Sequence, residues 1–204
     1  MQLFKNKILN KKQLKSFKGI AMVALAFVVT ACASSAPTHL TVSPTLNLPQ
    51  STTNLYNNEA QLEVIDMRIA KFIVSISKED EAATVLSPYK NLEVTTQEKL
   101  QQAWQSQGLI INQNAKNAIT VTITDATVAV KQSTMSYVAD SKILMTVKIS
   151  KGNKVLTSKF KNTGSSDGAL SVDIAVLERD FNYNYASVLE QIIKSKDIQA
   201  FLAP

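Results

Sequence analysis

Several runs between Ile119 and Phe160 carry apolar residues at every second position, and no other feature of the 204-residue chain constrains its fold as strongly. Strands have period two, so Ile119, Val121 and Ile123 line one face while threonines line the other. Ala126, Val128 and Val130 continue on the opposite parity, which predicts a bulge or bend near Thr124 and Asp125. Ile143, Met145, Val147 and Ile149 alternate next, and Gly152-Asn153 offers a two-residue turn with Gly at its first central position. Pairing Lys151 with Lys154 sets Ile149 against Leu156 and Met145 against Phe160, so the apolar faces coincide.

Helices are predicted on either side of these strands. Thr95 with Glu98 reads as a capping box, Leu100, Ala103 and Trp104 form a stripe, and Gly108 is a stop signal, giving a helix over 96–107. Phe181, Tyr185, Val188, Leu189, Ile192 and Ile193 form a broad stripe at period 3.6, followed by a terminal turn around Ile198, Phe201 and Leu202. Upstream, Leu62–Met67, Lys71–Ile76 and Thr84–Leu86 read as strands, and Gly164 and Gly168 bracket a polar loop. The expected architecture is α+β: a mostly antiparallel sheet with two main helices packed on one face.

The basic balance, 22 Lys plus Arg against 16 Asp plus Glu, is local. Lys5, Lys7, Lys11, Lys12, Lys15 and Lys18 precede an uncharged run over Gly19–Thr30, and no acid occurs before Glu59. From Cys32 onward, 16 basic residues face 16 acidic ones, so the charge argues against a nucleic-acid partner. The 12-residue run is too short for a spanning helix, which needs about 20 apolar residues, and fits a secretory leader. Val29-Thr30-Ala31-Cys32 resembles the bacterial lipobox. That resemblance implies cleavage between Ala31 and Cys32 and acylation of Cys32, with palmitate or a similar chain. Ala33, where an Asp would retain such a protein at the inner membrane, implies the outer membrane, periplasmic face. The expected division is 1–31 signal peptide, 32–39 lipidated tether and 40–204 a single domain.

Few residues point to chemistry. One Cys and one His exclude an internal disulfide, a CxxC…CxxC zinc site and two-histidine catalysis. A Ser-His-Asp arrangement would have to recruit His39 from the tether, and Glu79-Asp80-Glu81 lacks the alternating ligands of a calcium loop. Asp66 and Arg68 share strand parity and suit an ion pair or a polar site at the sheet end. Lys142, Lys148, Lys159 and Lys161 fall on the solvent face of the predicted hairpin, with no acid over 141–162, and form a candidate partner surface. Phe181 and Tyr185 belong to the core, while Tyr183 lies off the stripe. No cofactor, metal ion, catalytic residue or small-molecule substrate is indicated, and no enzyme activity is expected.

Val42-Ser43-Pro44-Thr45 through Leu48-Pro49-Gln50 resembles the V-S-P-T-x-x-L-P-Q stretch opening the mature chains of the YajG-like family of bacterial lipoproteins. The likeness continues through Asp66-x-Arg68, Leu86-x-Pro88, Gly108, the strands from Ile119 and the helix ending near Phe201. It implies an uncharacterised outer-membrane lipoprotein of the cell envelope without assigned enzyme activity. The partners it leaves in view are the membrane through Cys32 and an envelope protein or anionic lipid. A second expectation is an auxiliary lipoprotein of a lipid or lipopolysaccharide transport system, which an uncovered groove between the last helix and the sheet would favour.

Overall fold

The computed structural model describes residues 37–48, 55–79 and 81–203. The expected signal peptide, Cys32 and the residues up to 36 lie outside this range, as do Pro49, Gln50 and Asp80. Among the described residues the strands are β1 (His39–Leu40), β2 (Glu59–Asp66), β3 (Val74–Lys78), β4 (Thr84–Pro88), β5 (Ile110–Ile111), β6 (Ala118–Gln132), β7 (Ser136–Lys151) and β8 (Lys154–Ala169). The helices are α1 (Leu92–Ser106), α2 (Ile174–Lys194) and α3 (Lys196–Leu202).

The eight strands form one mixed sheet, correcting the expectation of a mostly antiparallel sheet with two main helices. β1–β4, β2–β5, β2–β6 and β3–β6 are parallel, whereas β3–β4, β6–β7 and β7–β8 are antiparallel. The cause is connectivity. The chain leaves β4 through α1 and β5 before it enters β6, and a crossover of this kind brings strands together in the same direction. Strands adjacent in sequence therefore need not be neighbours in the sheet.

β6 organises the rest. Its first half, Ala118–Ile123, pairs with β2, and its second half, Val128–Gln132, pairs with β3 on the same edge. The register with β7 shifts between Ile123 and Asp125, the position of the predicted bulge. The hairpin pairs Lys151 with Lys154, Ile149 with Leu156 and Met145 with Phe160, as the alternation requires. Gly152 at φ +58° supplies the left-handed position of its turn. Gly164 and Gly168 do not bracket a loop: β8 runs through both and ends at Ala169. That half of β8 carries no large apolar residue, so its strand character comes from pairing with β7 rather than from its own pattern.

Ile119, Val121, Ile123, Ile143, Met145, Val147 and Ile149 are buried beneath Trp104 of α1 and Phe181, Tyr185, Val188, Leu189 and Ile192 of α2. Each fully buried side chain of this size contributes about 1.5–3 kcal/mol. α1 begins four residues before the predicted start. Leu92, Thr95 and Thr96 are buried in its first turns, and the Thr96 hydroxyl donates to the Leu92 carbonyl at 2.6 Å, so these threonines serve the core instead of capping. Gly108, at φ +92°, ends the helix as expected; a Cβ there would lie 2.7 Å from the Tyr56 ring.

Residues 40–48 form an extended strap along α2. Leu40, Val42 and Pro44 point inward, while the intervening backbone bonds to helix side chains. Thr41 N–H donates to Glu178 at 2.7 Å, Ser43 N–H to Asn182 Oδ1 at 2.7 Å and Asn47 N–H to Glu190 at 2.6 Å. Asn182 Nδ2 returns a bond to the Thr41 carbonyl at 2.9 Å. Two residues of extended chain advance about 6.6 Å and four residues of helix about 6.0 Å, which is why the two elements stay in step.

Candidate functional site

The outer face of the sheet bears the lysines singled out in the sequence. Lys142, Lys148, Lys159 and Lys161 are all exposed, on β7 and β8, and their direct cross-strand partners are Thr163, Thr157, Thr146 and Leu144. No two of these four stand opposite one another, so their like charges are spread out. Lys142 pairs with Asp125 Oδ2 at 2.8 Å. The acid escaped the sequence reading because it lies outside 141–162, and only the bulge brings it beside Lys142. Among the described residues, Lys148, Lys159 and Lys161 form no ion pair. Lys151, at the hairpin end, instead donates to the Phe201 and Ala203 carbonyls and caps α3.

Tyr183 is the second feature. It stands 76% exposed on α2 between two depressions. On one side a cavity of about 190 Å³ separates α2 from the sheet, lined by Ala139, Ser141, Gly164, Ser166, Leu177 and Phe181. On the other a polar cavity of about 360 Å³ lies against the strap, beside Ser43, Asn47, Asn182 and Glu190. The Ser141 hydroxyl on the first cavity is buried without a hydrogen-bond partner. Val42, within the strap, is buried, and the next N–H, that of Ser43, is taken by Asn182 Oδ1 at 2.7 Å.

Asp66 and Arg68 form the expected ion pair, at 2.9 Å, with both side chains 3% exposed. It fills the break where β6 exchanges β2 for β3. The guanidinium donates to both Asp66 oxygens and to the carbonyls of Lys71, Phe72 and Ala126, which uses all five of its N–H groups. Burial acts most strongly on the Asp66 carboxyl and would raise it. The Arg68 hydrogen bonds and charge, with Lys71, outweigh that effect and hold it below the usual carboxylate range. Burial pushes the Tyr185 phenol far upward, and its hydroxyl lies 2.6 Å from Thr96 Oγ1. The Thr96 proton is committed to Leu92, so Tyr185 is the donor. Every donor in this cluster is occupied by the fold itself, which makes it structural.

Serine patterns in the strands read the same way. Gly164-Ser165-Ser166-Asp167-Gly168 has the G-x-S-x-G spacing, against the expectation that the chain carries neither a G-x-S-x-G elbow nor an S-x-x-K motif. It lies within β8 and not on the strand-to-helix turn that makes a nucleophile elbow. Of the S-x-x-K spacings, Ser75–Lys78 and Ser158–Lys161 lie in strands, where an offset of three puts the two side chains on opposite faces, and Ser87–Lys90 runs off the end of β4 with its lysine paired to Glu98 at 2.6 Å. His39 stacks on Tyr89 at 5.1 Å where the chain enters the fold. Among the described residues no three His, Cys, Asp or Glu side chains group as metal ligands, and no helix is long and apolar enough to cross a membrane.

A family model described as "Uncharacterized lipoprotein" matches residues 44–203. The chain is 24% identical over 157 residues to "Uncharacterized lipoprotein YajG" of Escherichia coli K12, covering 75% of this chain and 80% of that one. The same values hold for the protein of that name in E. coli O6:H1. Among solved structures, protein XCC0632 from Xanthomonas campestris is similar in fold, with a TM-score of 0.54 at 13% identity over 82% of this chain and 97% of that one.

Proposed function

The chain belongs to this family of uncharacterized lipoproteins, and we propose that it works as a non-enzymatic binding or accessory subunit of the cell envelope, anchored in the outer membrane and facing the periplasm. The observation that carries the reading is the strap. From Cys32 to Leu40, the first buried residue among those described, the chain spans at most about 28 Å. A lipid at Cys32 thus keeps the domain, and whatever it binds, next to the bilayer. Lys148, Lys159 and Lys161 suit an acidic protein or anionic headgroups there, at about 1 kcal/mol per lysine near such a surface. Ala33 after the Cys supports the outer membrane as the destination.

The groove between α2 and the sheet bears on the second reading, an auxiliary lipoprotein of lipid or lipopolysaccharide transport. At about 190 Å³ it falls below the roughly 300–1,000 Å³ of ordinary ligand pockets, so it suits a side chain better than a lipid. The deciding experiment is in-cell photocrosslinking from positions 148, 161 and 183, read by mass spectrometry. A reproducible protein adduct supports the accessory role, and lipid adducts alone favour transport. Hydrolysis of muropeptides or lipids by the purified protein, abolished by a point mutation, would overturn the non-enzymatic reading.

A further inference from the structure

The far edge of β8 has no partner strand among the described residues. It is 16 residues long, against about 5–6 for a typical strand, contains no proline, and keeps one register with β7 throughout. Short length, prolines and bulges, the usual guards of an exposed edge, are missing; lysines remain.

The direction of its free backbone groups follows from one bond. Leu170 N–H donates to the Met135 carbonyl at 2.9 Å, in register with the ladder. Even-numbered residues of β8 therefore turn their N–H and C=O toward β7, and odd-numbered ones turn theirs outward. Along that outward row the charges are segregated. Lys159 and Lys161 occupy one half; Asp167 occupies the other, beside Asp140, whose carboxylate accepts from Ser165 Oγ at 2.8 Å.

From this we infer that β8 pairs antiparallel with β8 of a second copy of the chain, about a two-fold axis at Thr163, making one continuous sheet. Antiparallel pairing about Thr163 sets Lys159 opposite Asp167, Lys161 opposite Ser165 and Thr163 opposite itself. Each basic half meets an acidic half, twice per dimer. Centring on Lys161 would oppose two lysines. On the inner face the same register places Phe160 opposite Ser166, and Ser166 lines the 190 Å³ cavity, so a bulky residue of one copy meets small residues of the other. This assembly is independent of the envelope role proposed above.

The test uses the full-length lipoprotein in its own membrane. A residue on a two-fold axis meets its own copy, so Thr163→Cys is expected to give a disulfide-linked dimer on non-reducing gels. Thr157→Cys, equally exposed but opposite Ala169, and the wild type with Cys32 alone are expected to stay monomeric on the gel. In the Thr163→Cys background, Lys159→Glu or Asp167→Lys should each lower the dimer yield at least several-fold, and the two together should restore it. Dimer yield at 163 no greater than at 157, adducts to a different protein instead of a second copy, or failure of the charge exchange to restore pairing would overturn the proposal.

Discussion

At the scale of single residues, the Asp66–Arg68 pair carries the largest expected effects. Asp66→Ala leaves a guanidinium buried and unpaired and is expected to cost about 3–5 kcal/mol in urea unfolding at pH 7. Asp66→Leu with Arg68→Met removes both charges and should recover much of that loss. The acid dependence follows from the lowered carboxyl. Its stabilising effect is complete above the unfolded value near 3.9 and disappears as pH falls through the lower folded value, so the stability gap between wild type and Asp66→Ala should narrow steadily as the solution is acidified below the ordinary carboxylate range. Tyr185→Phe, which removes a buried donor to Thr96, should cost about 1 kcal/mol, measured the same way. The pair itself was legible in the sequence, because two residues of one parity share a face. Its setting was not: the three carbonyls that complete it come from residues 71, 72 and 126, and nothing local brings the last of these near Arg68.

At the scale of elements, legibility tracked how much apolar pattern each segment carries. The β7–β8 register was readable near the turn because both strands alternate there, and the bulge in β6 was readable because parity reversed. The far half of β8, with glycines and serines, held no such signal, and the buried threonines of α1 imitated a cap. The strap was half legible: Pro44, which has no N–H to give a ladder, speaks against a central strand, but the bonds that hold the strap depend on side chains more than 130 residues away. Asn182 bonds it on both sides, to Ser43 N–H and to the Thr41 carbonyl. Asn182→Ala is expected to cost about 1–2 kcal/mol and to speed hydrogen exchange over residues 41–47 selectively, with β6 and β7 amides keeping their protection relative to global stability.

At the scale of the whole molecule, parallel pairing decides the fold, and it was the least legible part. Whether β2 and β3 lie beside β6 depends on a crossover, and no period in either strand encodes it. The surface was legible in sign but not in strength, since Asp125 neutralises one of the four lysines. Lys148→Glu with Lys161→Glu should weaken retention on anionic vesicles several-fold at low salt, with the difference fading as ionic strength rises. Cys32→Ser should release the protein from the outer-membrane fraction altogether. The strap also has a mechanical consequence. Any tension on the anchor enters the domain at Thr38, whose carbonyl accepts from Ser87 N–H, and is handed along residues 40–48 to α2. A load along that line strains these bonds together, whereas a load across it opens them one at a time. The domain should therefore resist detachment best when α2 lies along the line of force.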